Sequence, residues 1–151
     1  MKKIIFMLAA LLFSIAAFAQ PRAAYGLVVQ NQTSCDQYYV VVGDELCDCG
    51  GTYGSSIISI PPGGTHVYPN STTIPGFPTT MPKGIFGAKI PDGPIYCNVP
   101  AGAVGQPACG LPPLYGFITI GANCIRCTMA KANWIPASNS CQEMARLIFT
   151  P

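Results

Sequence analysis

Past residue 19 the chain alternates between short apolar runs and clusters of glycine, proline and small polar residues. The runs are rich in Val, Ile, Tyr, Phe and Thr and are four to eight residues long, the signature of β-strands bounded by turns. They predict strands over 25–31, 37–42, 56–60, 65–68, 85–90, 95–99, 116–121, 127–134 and 145–150. Two of these carry a clear two-residue period. In the first, Thr128, Ala130, Ala132 and Trp134 share one face while Met129, Lys131 and Asn133 share the other. In the second, Leu147 and Phe149 point inward and Arg146 outward; a helix over 142–147 competes, but no capping box precedes it. Pro61-Pro62-Gly63-Gly64 between Ile57-Ile58-Ser59-Ile60 and Thr65-His66-Val67-Tyr68 predicts a hairpin, and Asp92-Gly93 after Lys89-Ile90-Pro91 predicts another. Tyr39, Phe117 and Trp134 are candidates for the core.

The 16 glycines and 15 prolines all fall after Ala19, a density that interrupts helices repeatedly. The expected fold is therefore all-β: a single disulfide-stapled β-sandwich, immunoglobulin-like or similar, of about 7–9 short strands. Residues 1–19 read instead as a signal peptide: Lys2 and Lys3 open it, Ile4 to Phe18 form its apolar run, and Ala17-Phe18-Ala19 supplies the cleavage site. An apolar run of about fifteen residues falls short of the roughly 20 that a membrane-spanning helix needs. Residues 20–151 then form one secreted or periplasmic domain beginning at Gln20. With Cys35 the first cysteine, none follows the cleavage site directly, so a lipid anchor is not expected.

Removing the leader also removes the chain's net charge of +2. Six bases (Arg22, Lys83, Lys89, Arg126, Lys131, Arg146) then face six acids (Asp36, Asp44, Glu45, Asp48, Asp92, Glu143). Neither the basic surface that phosphate binding requires nor the basic patch or amphipathic helix of a membrane-adsorbed protein is evident. No nucleic acid and no membrane span after cleavage are expected.

Eight cysteines follow the leader: Cys35, Cys47, Cys49, Cys97, Cys109, Cys124, Cys127 and Cys141. An even count in an exported chain predicts disulfides, although spacing alone leaves their connectivity open. Cys124-Ile125-Arg126-Cys127 also has the spacing of a thiol redox pair, and with Cys47-Asp48-Cys49 it could hold zinc. The redox pair usually opens a helix, whereas this one leads into a predicted strand. In an extended Cys-x-Cys both sulfurs share a face, which favours bridges to two separate partners.

Other chemistry is sparse. His66 is the only histidine, and the remaining reading as a hydrolase would pair it with an Asp or Glu. Asp44, Glu45 and Asp48 in one loop offer calcium some oxygens, but the EF-hand pattern is absent. No catalytic residue, metal or cofactor is expected. Tyr53 sits among glycines and serines, and Ile74, Phe77 and Met81 lie in a long proline-rich connection, 69–82, of the kind that binds ligands or covers one end of a core. Rings presented on such loops stack on sugars or anchor protein contacts. These four are the candidate ligand-binding residues.

The run Val28-Val29-Gln30-Asn31-Gln32-Thr33-Ser34-Cys35, the Ile-Ser-Ile-Pro-Pro-Gly segment, Cys-x-x-Cys leading toward Ala130-Lys131-Ala132-Asn133-Trp134, and the closing Ala-Arg-Leu-Ile-Phe together resemble a loose group of small secreted bacterial β proteins. That resemblance implies fold and location and carries no activity. The expected function is an exported, non-enzymatic module for surface or extracellular interaction, meeting a neutral glycan or protein surface or playing a structural part. The alternatives are a secreted hydrolase using His66 and a cysteine-rich inhibitor that presents a rigid loop between two bridges.

Overall fold

The computed structural model describes residues 21–151; the predicted signal peptide lies outside the described residues. The architecture is all-β, with ten strands in two sheets, almost no helix and four disulfides. The strands are β1 (Gly26–Asn31), β2 (Gln37–Asp44), β3 (Tyr53–Gly54), β4 (Ile58–Ile60), β5 (Thr65–Tyr68), β6 (Gly84–Pro91), β7 (Ala101–Gly105), β8 (Leu114–Ile120), β9 (Arg126–Ile135) and β10 (Met144–Thr150). The count exceeds the expected 7–9. Among the described residues no helix is long and apolar enough to cross a membrane.

One sheet has the order β5-β1-β10-β9-β8, in which β1 and β10 run parallel and every other neighbour is antiparallel. The other has the order β3-β2-β6-β7, with β4 also paired to β2. Their inner faces share one core, an arrangement consistent with a β-sandwich. Leu27, Val29, Ala130, Ala132, Trp134, Leu147 and Phe149 come from the first sheet, and Tyr39, Val41, Ile85, Ala88, Ile90 and Val104 from the second. The two-residue period read from β9 and β10 holds: Ala130, Ala132, Trp134, Leu147 and Phe149 are buried while Met129, Lys131 and Arg146 are exposed.

Three expectations need correction. The Pro61-Pro62-Gly63-Gly64 turn does not close a hairpin. β4 pairs with β2 and β5 with β1, so the turn is a corner between sheets, held where Gly63 N–H donates to Asn31 O (2.9 Å) and Asn31 N–H to Gly64 O (3.0 Å). The segment expected as a strand over 95–99 is a 3-10 turn, Ile95–Cys97, closed by Asn98 in the left-handed conformation. The strand that pairs with β6 is instead Ala101–Gly105, so the Asp92-Gly93 hairpin becomes a nine-residue connection.

Candidate functional site

The eight sulfurs are all committed to disulfides. Cys35 pairs with Cys127, Cys47 with Cys141, Cys49 with Cys109 and Cys97 with Cys124. Cys124 and Cys127 therefore do not bond each other, and no sulfur remains for zinc; both alternative readings of these cysteines are overturned. As its extended geometry suggested, Cys47-Asp48-Cys49 reaches two different partners. It pins the 45–52 loop to the segment before β10 through one bridge and to the 3-10 turn Pro107–Cys109 through the other.

The candidate binding loops are turned inward. Ile74 and Phe77 are 2% and 4% exposed and belong to the core, so the 69–82 connection folds back as a cover. It begins with a 3-10 turn, Ser71–Thr73, capped by Asn70, whose side-chain Oδ1 accepts from Thr72 N–H at 3.0 Å. The buried Ser71 hydroxyl accepts from Lys83 N–H. Met81 is the one member of this trio left exposed. Tyr53 is half-buried in β3; its hydroxyl donates to Glu45 Oε1 (2.8 Å) and Lys83 Nζ sits 5.1 Å above its ring. Lys83 also pairs with Glu45 at 2.7 Å, which holds the Glu45 carboxyl below its usual range. The structure thus joins Tyr53 to an ion pair and does not bring it together with Ile74, Phe77 and Met81 as an open aromatic surface.

His66 is half-buried on β5, facing the core. Its Nδ1 lies 2.7 Å from the Tyr39 hydroxyl, which is also 2.9 Å from that of Tyr68. Burial, with the Tyr68 bond, pushes the Tyr39 phenol up, so it stays protonated. No hydrogen bond joins His66 to a carboxylate among the described residues, and it lines neither of the clefts described below. Asp44 Oδ1 accepts from Glu45 N–H, and Asp48 Oδ1 accepts from Cys49 N–H, each within its own turn.

What the sequence reading missed is the outer face of the β5-β1-β10-β9-β8 sheet. Its register places outward side chains in rows: Val67, Val28, Arg146 and Ile135; then Thr65, Gln30, Ile148, Asn133 and Leu114; then Thr150, Lys131 and Gly116; then Met129 and Ile118. Half of these positions carry apolar side chains, and Leu114 is 51% exposed, Ile135 44% and Met129 72%. An open cleft of about 650 Å³ runs along it between Leu114, Ile135 and Ile148, with Gln32, Lys131 and Thr150 at its polar side. Gly116 deepens the relief, since a Cβ placed there would meet nothing within 4 Å. The signal was present in the alternation of β8 and β9, whose outward positions hold Leu, Ile and Met where a solvated face would carry charges.

A second cleft, of about 330 Å³, lies at the end of the molecule where the 92–100 connection meets β8 and the start of β9. Asp92, Asn98, Val99, Pro100, Ile118, Ile120 and Arg126 line it. Asp92 is 8% exposed, and its Oδ1 accepts from the Tyr115 hydroxyl at 3.0 Å. Backbone bonds fix it on both sides: Asp92 N–H donates to Pro100 O, and Ile120 N–H donates to Asp92 O. Compared with known proteins, the chain matches no family model, and no curated protein and no solved structure is significantly similar to it.

Proposed function

We propose that the protein is an exported, non-enzymatic interaction module, a β-sandwich whose contact surface is the outer face of the β5-β1-β10-β9-β8 sheet. The observation that supports this reading is the concentration of uncovered aliphatic side chains around the 650 Å³ cleft. Exposed apolar side chains gathered on one face, with few charges, favour association. The partner is a neutral protein surface. A glycan needs a ring to stack on, and the large apolar side chains exposed here, Leu114, Ile118, Met129, Ile135 and Val67, are all aliphatic. Four disulfides fit the oxidising compartment that an exported chain enters.

Gly116→Glu tests the proposal without disturbing the core, because the added side chain projects from the sheet into open space. The purified domain is presented to an array of proteins from its own cell surface and medium. Binding that falls about tenfold or more in Gly116→Glu and in Leu114→Asp, with thermal unfolding unchanged, supports the reading. An unchanged binding profile in both variants removes this face from consideration.

The inhibitor reading keeps one specific observation in its favour: the 45–52 loop is anchored through both Cys47 and Cys49 and leaves Leu46 45% exposed. A protease panel in which Leu46→Asp relieves inhibition would select it.

A further inference from the structure

A carboxylate as enclosed as Asp92 ordinarily meets a cation or several N–H groups, because taking an unpaired charge out of water costs several kcal/mol. Among the described residues the neutral Tyr115 hydroxyl supplies its one side-chain hydrogen bond, and no Lys or Arg of these residues forms an ion pair with it. Burial pushes the Asp92 carboxyl up, and the Tyr115 bond only partly offsets that. No hydrogen bond reaches the second carboxylate oxygen among the described residues, and Asp92 itself lines the cleft. With Asp92 the cleft is lined by the aliphatic Val99, Pro100, Ile118 and Ile120, and by Asn98 and Arg126 as its other polar members. An enclosed carboxylate in a cleft with mostly aliphatic lining suits a primary ammonium carried on an alkyl chain, whose methylenes pack on the aliphatic residues while its head donates to the carboxylate.

We infer that the Asp92 cleft is a socket for a primary alkylammonium group, such as a lysyl side chain of a partner protein or a free alkylamine. Arg126, exposed and lining the same cleft without reaching Asp92, is the built-in competitor for that position. The disulfide between Cys97 and Cys124 ties the 3-10 turn beside Asn98 to the turn before β9, holding the two sides of the cleft in register. The sequence made this site hard to see: Asp92 reads as half of an Asp-Gly turn, and the residues around it are scattered over 92–126.

The test follows backbone and methyl NMR shifts of Ile118 and Ile120 in the intact domain. It is titrated with Nα-acetyl-lysine methylamide, with n-butylamine, and with the uncharged norleucine analogue of the first. Saturable shifts with either amine and none with norleucine support the socket; tighter binding of the lysine probe assigns it to a chain-borne side chain, and equal binding to free amines. Asp92→Asn keeps the shape and the Tyr115 bond while removing the charge, and lowers affinity about tenfold or more. Arg126→Gln raises affinity about threefold by removing the like charge. Should Asp92→Asn lose its fold, the wild type reports the same dependence. Arg126 and Tyr115 are the charged and titratable groups that face Asp92; burial pushes the Tyr115 phenol up, away from the acidic range, so binding fades as Asp92 protonates, beginning at higher pH than for an ordinary carboxylate. No saturable shift in wild type and Arg126→Gln, equal response to norleucine, or undiminished binding by Asp92→Asn overturns the inference.

Discussion

At Asn31 a single side chain holds together the end of β1, the approach to Cys35 and the end of β4. Its Nδ2 donates to Cys35 O at 2.8 Å and to Ile60 O at 2.9 Å, and its Oδ1 accepts from Thr33 N–H and from the Thr33 hydroxyl. Asn31 is 2% exposed, so Asn31→Ala strands several buried groups at once and costs about 3 kcal/mol, measured as a shift in the urea midpoint. Gln106 shows the opposite case. It is fully buried, and neither its amide nitrogen nor its amide oxygen has a partner among the described residues. Gln106→Met removes that desolvation cost at similar volume and raises stability by about 1 kcal/mol in the same assay. Glu143 gathers Ser138 N–H, Asn139 N–H and the Asn139 amide, which hold its carboxyl down to about 2. A depressed folded value means its contribution is complete above the ordinary value of 4.5 and lost as pH falls toward about 2. Glu143→Gln flattens stability over that acid interval while changing little of its shape near neutrality.

Element by element, legibility tracked how local the determining physics was. β9 and β10 were readable because one face is buried and the other is not, a pattern that needs no knowledge of the partner strand. The Pro-Pro-Gly-Gly turn was correctly placed, but its chemistry specifies a reversal of direction and says nothing about which sheet each arm joins; Asn31 makes that choice. Residues 95–99 carry strand-favouring side chains, yet Pro94 and Pro100 flank them, and Ile95 and Tyr96 end up exposed. Ala101–Gly105 has poor intrinsic strand propensity and becomes a strand because β6 offers it a ladder. The candidate site fared worse: Phe77 in its proline-rich loop looks the same in sequence whether it faces a ligand or caps a core. Gly76 decides the outcome, since its φ of +90° and its approach to Ser56 N, 2.8 Å from where a Cβ would stand, bend the loop back on the molecule. Gly76→Ala is expected to cost about 2 kcal/mol and to expose the loop to limited proteolysis.

The whole molecule is fastened by bridges that span most of its length. Cys35–Cys127 and Cys47–Cys141 are separated by 92 and 94 residues, and a loop of that size corresponds to nearly ~5 kcal/mol of lost unfolded-chain entropy. Replacing Cys35 and Cys127 together by Ala is expected to lower stability by about that amount, whereas the same change at Cys97 and Cys124, 27 residues apart, costs less. Peptide mapping under non-reducing conditions must recover these four links and no others. None of the four joins cysteines that are neighbours in the chain's own order. A chain oxidised as it emerges amino end first presents Cys35, Cys47 and Cys49 to an oxidant before Cys127 and Cys141 arrive. Bonds made in order of arrival are therefore wrong, and reaching the native set from them requires thiol exchange, so oxidative refolding of the reduced chain is expected to reach the native form faster when a disulfide isomerase is added.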